Sequence, residues 1–343
     1  MKRLGFHTLR DKATDTLGDK LSRQLQEDVA PKMSDEEAFS FAGFNAEDAE
    51  RGGYSDYSYW KSTLRAFFQN KIAVFFLFVM VAVLLFTFIQ PYLPGQKDPI
   101  LIHNDQWGLP LNNIPPSKEF WFGTNSIGQD LWARIWAGTR TSLFIGFSVA
   151  FVEAVVGILV GVLWGYVRQL DFFFTELYNI CDNVPSTIIL ILISYVASPS
   201  VQTLILGMSI TGWIAMARFI RNQILIIRDR DYNVASRCIG TPIRRIVLRN
   251  LLPYLVSVIM LRMALTIPAA IGSEVFITYI GLGLSVETPS LGNLINDGRK
   301  VMMQAGLRYQ LLYPTIILSF VTIAFYLIGN AFSDAADPKN HLQ

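Results

Sequence analysis

The run "IAVFFLFVMVAVLLFTFI", residues 72–89, constrains this chain more than any other feature, because none of its residues carries a charge. A helix that crosses a bilayer needs about 20 mostly apolar residues. In lipid its backbone polar groups must be satisfied internally, which a helix does. The same kind of run recurs. "SLFIGFSVAFVEAVVGILVGVLWGY" occupies 142–166, and a less clean stretch at 172–197 is interrupted by Asp182 and Pro185. "VQTLILGMSITGWIAMARFI" occupies 201–220, and further runs fall at 254–280 and 311–332. Of the 343 residues 52% are hydrophobic and only 16% charged, against about a quarter charged in an ordinary soluble domain. The chain reads as an all-α polytopic membrane protein with six transmembrane helices.

The distribution of charge gives the orientation, since Lys and Arg gather on the cytoplasmic side of spans. Lys61, Arg65 and Lys71 precede the first span without an acid between them. From Arg218 to Asn250 there are eight arginines against Asp229 and Asp231. Residues 90–140 balance four basic against four acidic residues, and 281–310 hold three against two. The even span count places both termini and the 218–253 loop in the cytoplasm, with 90–140 and 281–310 extracytoplasmic. Residues 1–60 are polar and mixed in charge, so a weakly ordered cytoplasmic segment is expected there. The first 30 residues have no apolar core, and no cleavable signal peptide is read in them.

Several chemistries find no footing. No GxxxxGK[ST] loop or dinucleotide fingerprint occurs. The three histidines, His7, His103 and His341, have no ligand spacing, and Cys181 and Cys238 suggest neither disulfide framework nor metal cluster. No GxSxG or similar nucleophile context is present, so neither catalytic nor metal residues are assigned. Energised work would have to draw on an ion gradient or on another chain.

The segment "YNVASRCIGTPIRRIVLRNLLPYL", 232–255, carries four arginines and no acid between apolar stretches. Asp231 can cap a short helix to about Ile239, with Gly240 in the left-handed position past its end. Thr241 then caps a second helix with Pro242 at its first position. Ile239, Ile243, Ile246 and Val247 share one face of this helix-turn-helix, and the arginines rim it. A solvated positive loop needs the charge but neither the Gly-Thr-Pro punctuation nor the stripe. A docking element accounts for both.

This segment resembles the EAA-x3-G-x9-I-x-LP coupling loop of permease subunits in binding-protein-dependent ABC importers. Gly240, Leu252 and Pro253 match. Val234, Ala235 and Ser236 stand at the EAA positions, Arg237 follows them, and Asn250 replaces the isoleucine. "FWFGTNSIGQDLWARIWAGTRTSL", 120–143, and "GSEVFITYIGLGLSVETPSLGNLINDGR", 272–299, are similar to the C-type subunit of oligopeptide and dipeptide importers, as is the tail "SDAADPKNH". The resemblance implies a permease domain over 61–343 with the type I importer fold, residing in a bacterial cell membrane. It implies a homologous second permease, two ATPase subunits carrying ATP and Mg, and an extracytoplasmic peptide-binding protein. The implied substrate is an oligopeptide, with a dipeptide, nickel or another small solute as alternatives; no cofactor in this chain and no nucleic acid are implied. An ion-coupled carrier would show inverted repeats, and no convincing repeat is found; a membrane scaffold for a cytoplasmic enzyme is a third reading.

Among the charges inside the spans, Glu153, Asp182, Arg262 and Glu274 stand out. Such groups face a cavity or a partner chain, so pathway lining and pairing with the sister permease both stand open. Gly146, Gly157, Gly161 and Gly165 suggest close helix packing, and Pro185 and Pro268 are expected to bend their helices.

Overall fold

The computed structural model describes residues 59–336. The expectation for residues 1–60 lies outside these except for its last two positions, which are already helical. Among the described residues the fold is helical, with only isolated β-bridges. In chain order the helices are α1 (Tyr59–Gln69), α2 (Lys71–Ile89), α3 (Leu131–Tyr166), α4 (Arg168–Asp182), α5 (Ser186–Val196), α6 (Val201–Arg228), α7 (Asp231–Cys238), α8 (Ile243–Ile246), α9 (Leu252–Tyr279), α10 (Leu291–Val301) and α11 (Tyr309–Ala336).

Five helices are long and apolar enough to cross a membrane, and six spans result if the bent pair α4–α5 is one of them. The bend is 73° and falls at Asn183–Pro185. Proline disfavours helical geometry in the residue before it and lacks the N–H that would continue the ladder. Pro268, by contrast, sits inside α9 without interrupting it.

Helix starts follow local chemistry. Asn70, Asp130, Ser200 and Ser290 each accept the N–H three residues on, at 3.1 Å, and so cap α2, α3, α6 and α10. The Asp130 cap opens α3 eleven residues before the apolar run does. That early turn contains Arg134, which is fully buried. Its guanidinium donates to the carbonyls of Pro99 (3.2 Å) and Val286 (3.1 Å) and to Gln129 Oε1. A charged residue read as loop therefore pins the 90–130 and 281–290 segments to the end of α3. The Tyr309 hydroxyl adds to this joint, 2.8 and 2.9 Å from the carbonyl oxygens of Ile114 and Thr124.

α3 is the axis of the bundle. Its Gly157, Gly161 and Gly165 lie against Met216, Ala217–Ile220 and Arg221–Ile224 of α6, in register and parallel. A Cβ at Gly161 would fall 2.6 Å from the Ala217 carbonyl oxygen, so the four-residue glycine spacing is what admits this contact. Leu143, Ile145, Val149, Ala150 and Ala154 of α3 join three apolar clusters shared with α2, α5, α6, α9 and α11. Many large apolar side chains remain exposed on the outer faces of the spans, Phe75, Phe78, Phe144 and Phe151 among them.

Candidate functional site

Beyond Arg228 the chain leaves the α6 span as a hairpin of α7 and α8 and returns through α9. α7 starts at Asp231 as its first residue, with Arg230 at the cap position and no side-chain cap. Its end is closed by backbone alone. Gly240 takes φ +83°, its N–H donates to the Arg237 carbonyl (3.0 Å), and the Thr241 N–H donates to the Ser236 carbonyl (3.0 Å). This is a Schellman end, in which glycine supplies the left-handed residue. Thr241 thus closes α7 rather than capping the next helix, and Pro242 stands just before α8 rather than inside it. α8 widens into a π-turn over Val247–Leu251 and runs into α9, where Pro253 falls in the first turn and needs no N–H partner.

The stripe expected on one face divides. Ile246 and Val247 are buried in a cluster with Ile220, Ile224 and Ile227 of α6. Ile239 and Ile243 are 84% and 57% exposed, beside an exposed Cys238 and a Val234 at 40%. The inner half anchors the hairpin and the outer half is left bare.

Polar contacts lock the hairpin's base. Asn233 is buried, donates from Nδ2 to the Ile227 carbonyl (2.9 Å) and accepts at Oδ1 from Asn250 Nδ2 (3.0 Å). Arg237 donates to the Arg228 carbonyl (3.1 Å) and pairs with Asp229 (3.2 Å), which also pairs with Arg228. The hydrogen bond from Arg228, reinforced by Arg237, holds the Asp229 carboxyl below the usual carboxylate range. A depressed carboxyl pKa means the clamp is complete above the ordinary value and is lost only as pH falls through the lowered one. Of the residues singled out in the sequence, Val234, Ala235, Arg237, Gly240 and Pro242 are exposed here, while Ser236, Thr241 and Leu252 are half-buried. The Asn233–Asn250 pair was not singled out as a contact; a polar residue at a position where the loop pattern has isoleucine was its trace in the sequence.

A second site lies within the spans. A cavity of about 550 Å³ is bounded by α3, the α4–α5 break, α6 and α9, and Glu153, Asp182 and Arg262 all line it. Three of the four charges singled out in the spans therefore meet at one place. A Cβ at Gly212 of α6 would overlap the Glu153 carboxylate, so that carboxylate lies directly against the α6 backbone. Glu274 is elsewhere. It is fully buried, and it accepts from Ser142 Oγ (3.1 Å), Thr278 Oγ1 (3.2 Å) and Ser290 Oγ (2.7 Å), which knots α9 to α3 and α10. Enclosed by this chain's own atoms, it is not among the residues lining that cavity.

The profile described as "binding-protein-dependent transport system inner membrane component" matches residues 157–341. A second, the N-terminal TM domain of oligopeptide transport permease C, matches residues 58–116. The oligopeptide transport system permease protein AmiD of Streptococcus pneumoniae is 37% identical over 309 residues, covering 90% of this chain and 98% of that protein. The dipeptide transport system permease protein DppC of Bacillus subtilis is 33% identical, covering 82% of this chain and 86% of that protein. The oligopeptide transport system permease protein OppC of the same organism is 32% identical, covering 88% and 96%. The chain belongs to the binding-protein-dependent inner membrane component family. Membership carries the helical permease fold and a multi-pass place in a bacterial membrane. The 157–341 match takes in the glycine seam from Gly157 onward, the hairpin and the Glu274 knot, while α1 and α2 fall in the permease C segment.

Proposed function

We propose that this permease is the C-type subunit of an ATP-driven, binding-protein-dependent oligopeptide importer. The observation that carries the reading is the hairpin's bare outer half, where Val234, Ile239 and Ile243 stand exposed on a base locked by Asn233 and Arg237. Contiguous exposed apolar surface outside a span marks a protein contact. The chain has no nucleotide-binding loop of its own, so the partner fitting that surface is an ATPase subunit holding ATP and Mg. A homologous second permease would complete the pathway, two ATPases would sit on the cytoplasmic side with both termini, and a peptide-binding protein would dock on the 90–130 and 281–308 side. The 550 Å³ cavity with Glu153, Asp182 and Arg262 is this subunit's share of the substrate path. Oligopeptide is the substrate class that the names of two of the similar permeases support, and the dipeptide permease of Bacillus subtilis keeps the shorter peptide as the second reading.

The test is reconstitution of the chain with its sister permease, ATPases and binding protein in vesicles. Peptide uptake is expected with ATP and absent without it. Uptake driven by an ion gradient in the absence of ATP would contradict the assignment.

A further inference from the structure

The cavity between α3, α4, α5, α6 and α9 holds charged groups that no direct ion pair among the described residues satisfies. Among the described residues, neither the Glu153 nor the Asp182 carboxylate forms an ion pair, and the Arg262 guanidinium meets only the Phe219 ring, at 5.9 Å. Arg262 is within electrostatic reach of Glu153 but not in contact with it. Unpaired charge inside a membrane span is costly, and where it persists it meets a charged guest or water. The arrangement is built into the fold, since α6 presents Gly212 where the Glu153 carboxylate lies and any side chain would displace it. The same cavity is lined by Pro185, Ser186 and Thr187, the cap and first residues of α5, and no side chain caps that turn. Its free N–H groups and the helix dipole favour an anion. One cavity thus offers a carboxyl side chain on α3, and a guanidinium on α9 with open amides on α5. Its 550 Å³ is of the size that encloses a small guest.

We propose that this cavity binds a short peptide by its two free termini, the ammonium at Glu153 and the carboxylate at Arg262 and the α5 amides. The inference rests on the reading of the cavity as part of the substrate path. Asp182, at the end of α4 beside the α5 break, adds negative potential to the cavity, so the peptide carboxylate is held chiefly by Arg262.

The complete reconstituted complex tests this with trialanine, its N-acetyl form and its C-terminal amide. In Glu153→Gln the preference for free over acetylated peptide should fall about tenfold, the size of one charge-assisted hydrogen bond, with the free-to-amide preference unchanged. Arg262→Gln should do the reverse. The same binding protein feeds every variant, so its own selectivity cancels in these ratios. Ratios that stay within about twofold of the parent in both variants, or that fall together, overturn the proposal. An N-acetyl peptide carrying lysine that is imported as well as trialanine, in a Glu153-dependent way, would assign the ammonium to a side chain and overturn the terminus reading. A parent complex that imports no peptide at all would instead remove the proposed function. Should a variant fail to assemble, the parent alone decides through Cys181, which lines the cavity. Trialanine should slow its alkylation and N-acetyl-trialanine amide, blocked at both ends, should not; equal rates overturn the proposal.

Discussion

Three residues depart from the loop pattern of the family, Val234, Ser236 and Asn250, and the first and last carry a testable consequence. Val234 replaces an acid and is exposed next to Cys238 on the same face of α7, four residues on. A glutamate there would be harmless in the free subunit. Against an apolar ATPase groove it would become an unpaired buried carboxylate. Val234→Glu is therefore expected to lose ATPase during purification, while Val234→Leu retains it; equal retention in both would mean that the groove is not apolar. Asn250 replaces an isoleucine and donates to the buried Asn233. Asn250→Ile would restore the family residue yet leave Asn233 Oδ1 without its donor, at about 1–3 kcal/mol. Thermal unfolding of the purified subunit should report a lower midpoint for Asn250→Ile. Asn250→Gln, which keeps an amide donor, should recover part of the loss. The sequence showed both substitutions, but the contact that explains Asn250 lies 17 residues away in sequence, which hid the pair.

At the scale of elements, uniform apolarity made the spans legible and mixed character concealed the rest. α2 was readable to the residue or nearly so, as Lys71–Ile89 against the apolar run 72–89. α3 was not, because Arg134 and Arg140 look like loop until carbonyl partners are found for them; Arg140 donates to the Thr87 carbonyl at 2.9 Å. α6 runs on past Arg218 and Arg221 because those arginines turn to Tyr178 and Asp171 of α4, a contact that no window of hydropathy contains. α10 was missed altogether, being eleven residues long and amphipathic inside a segment read as loop. Glu274 shows the same limit: its charge suggested a pathway or a partner, and it accepts from Thr278 on its own helix and from Ser142 and Ser290 on other elements, which no local window contains. The α3–α6 seam, by contrast, was visible as glycine spacing. Gly161→Ala should force the helices apart against the Ala217 carbonyl oxygen, at about 1–3 kcal/mol for overpacking. The melting temperature of the subunit should fall, whereas Gly272→Ala, with nothing within 4 Å of the added Cβ, should not move it by packing. Equal effects would mean that the seam is not a tight contact.

For the whole molecule the account has two parts, a topology and a coupling. In a background without Cys181 and Cys238, single cysteines at Pro199 and Arg244 should react from opposite sides of the membrane. Position 199 should react with an impermeant thiol reagent from outside, and position 244 only after permeabilisation. Labelling of both from one side would break the six-span map and with it the pairing of α4 and α5 into one span. The coupling claim is that α7 and α8, locked to α6 and α9, carry motion between the ATPase and the pathway. Gly240 is where it is most exposed to test. Its φ of +83° is unfavourable for any side chain, yet the space around it is open within this chain. Gly240→Arg therefore strains the turn and burdens the docking surface without disturbing the bundle. The decisive measurement is peptide uptake and ATP hydrolysis by the same reconstituted complex carrying Gly240→Arg. The account predicts normal membrane insertion and persisting hydrolysis with uptake abolished. Uptake at the parent's rate would show that the hairpin is not the coupling element.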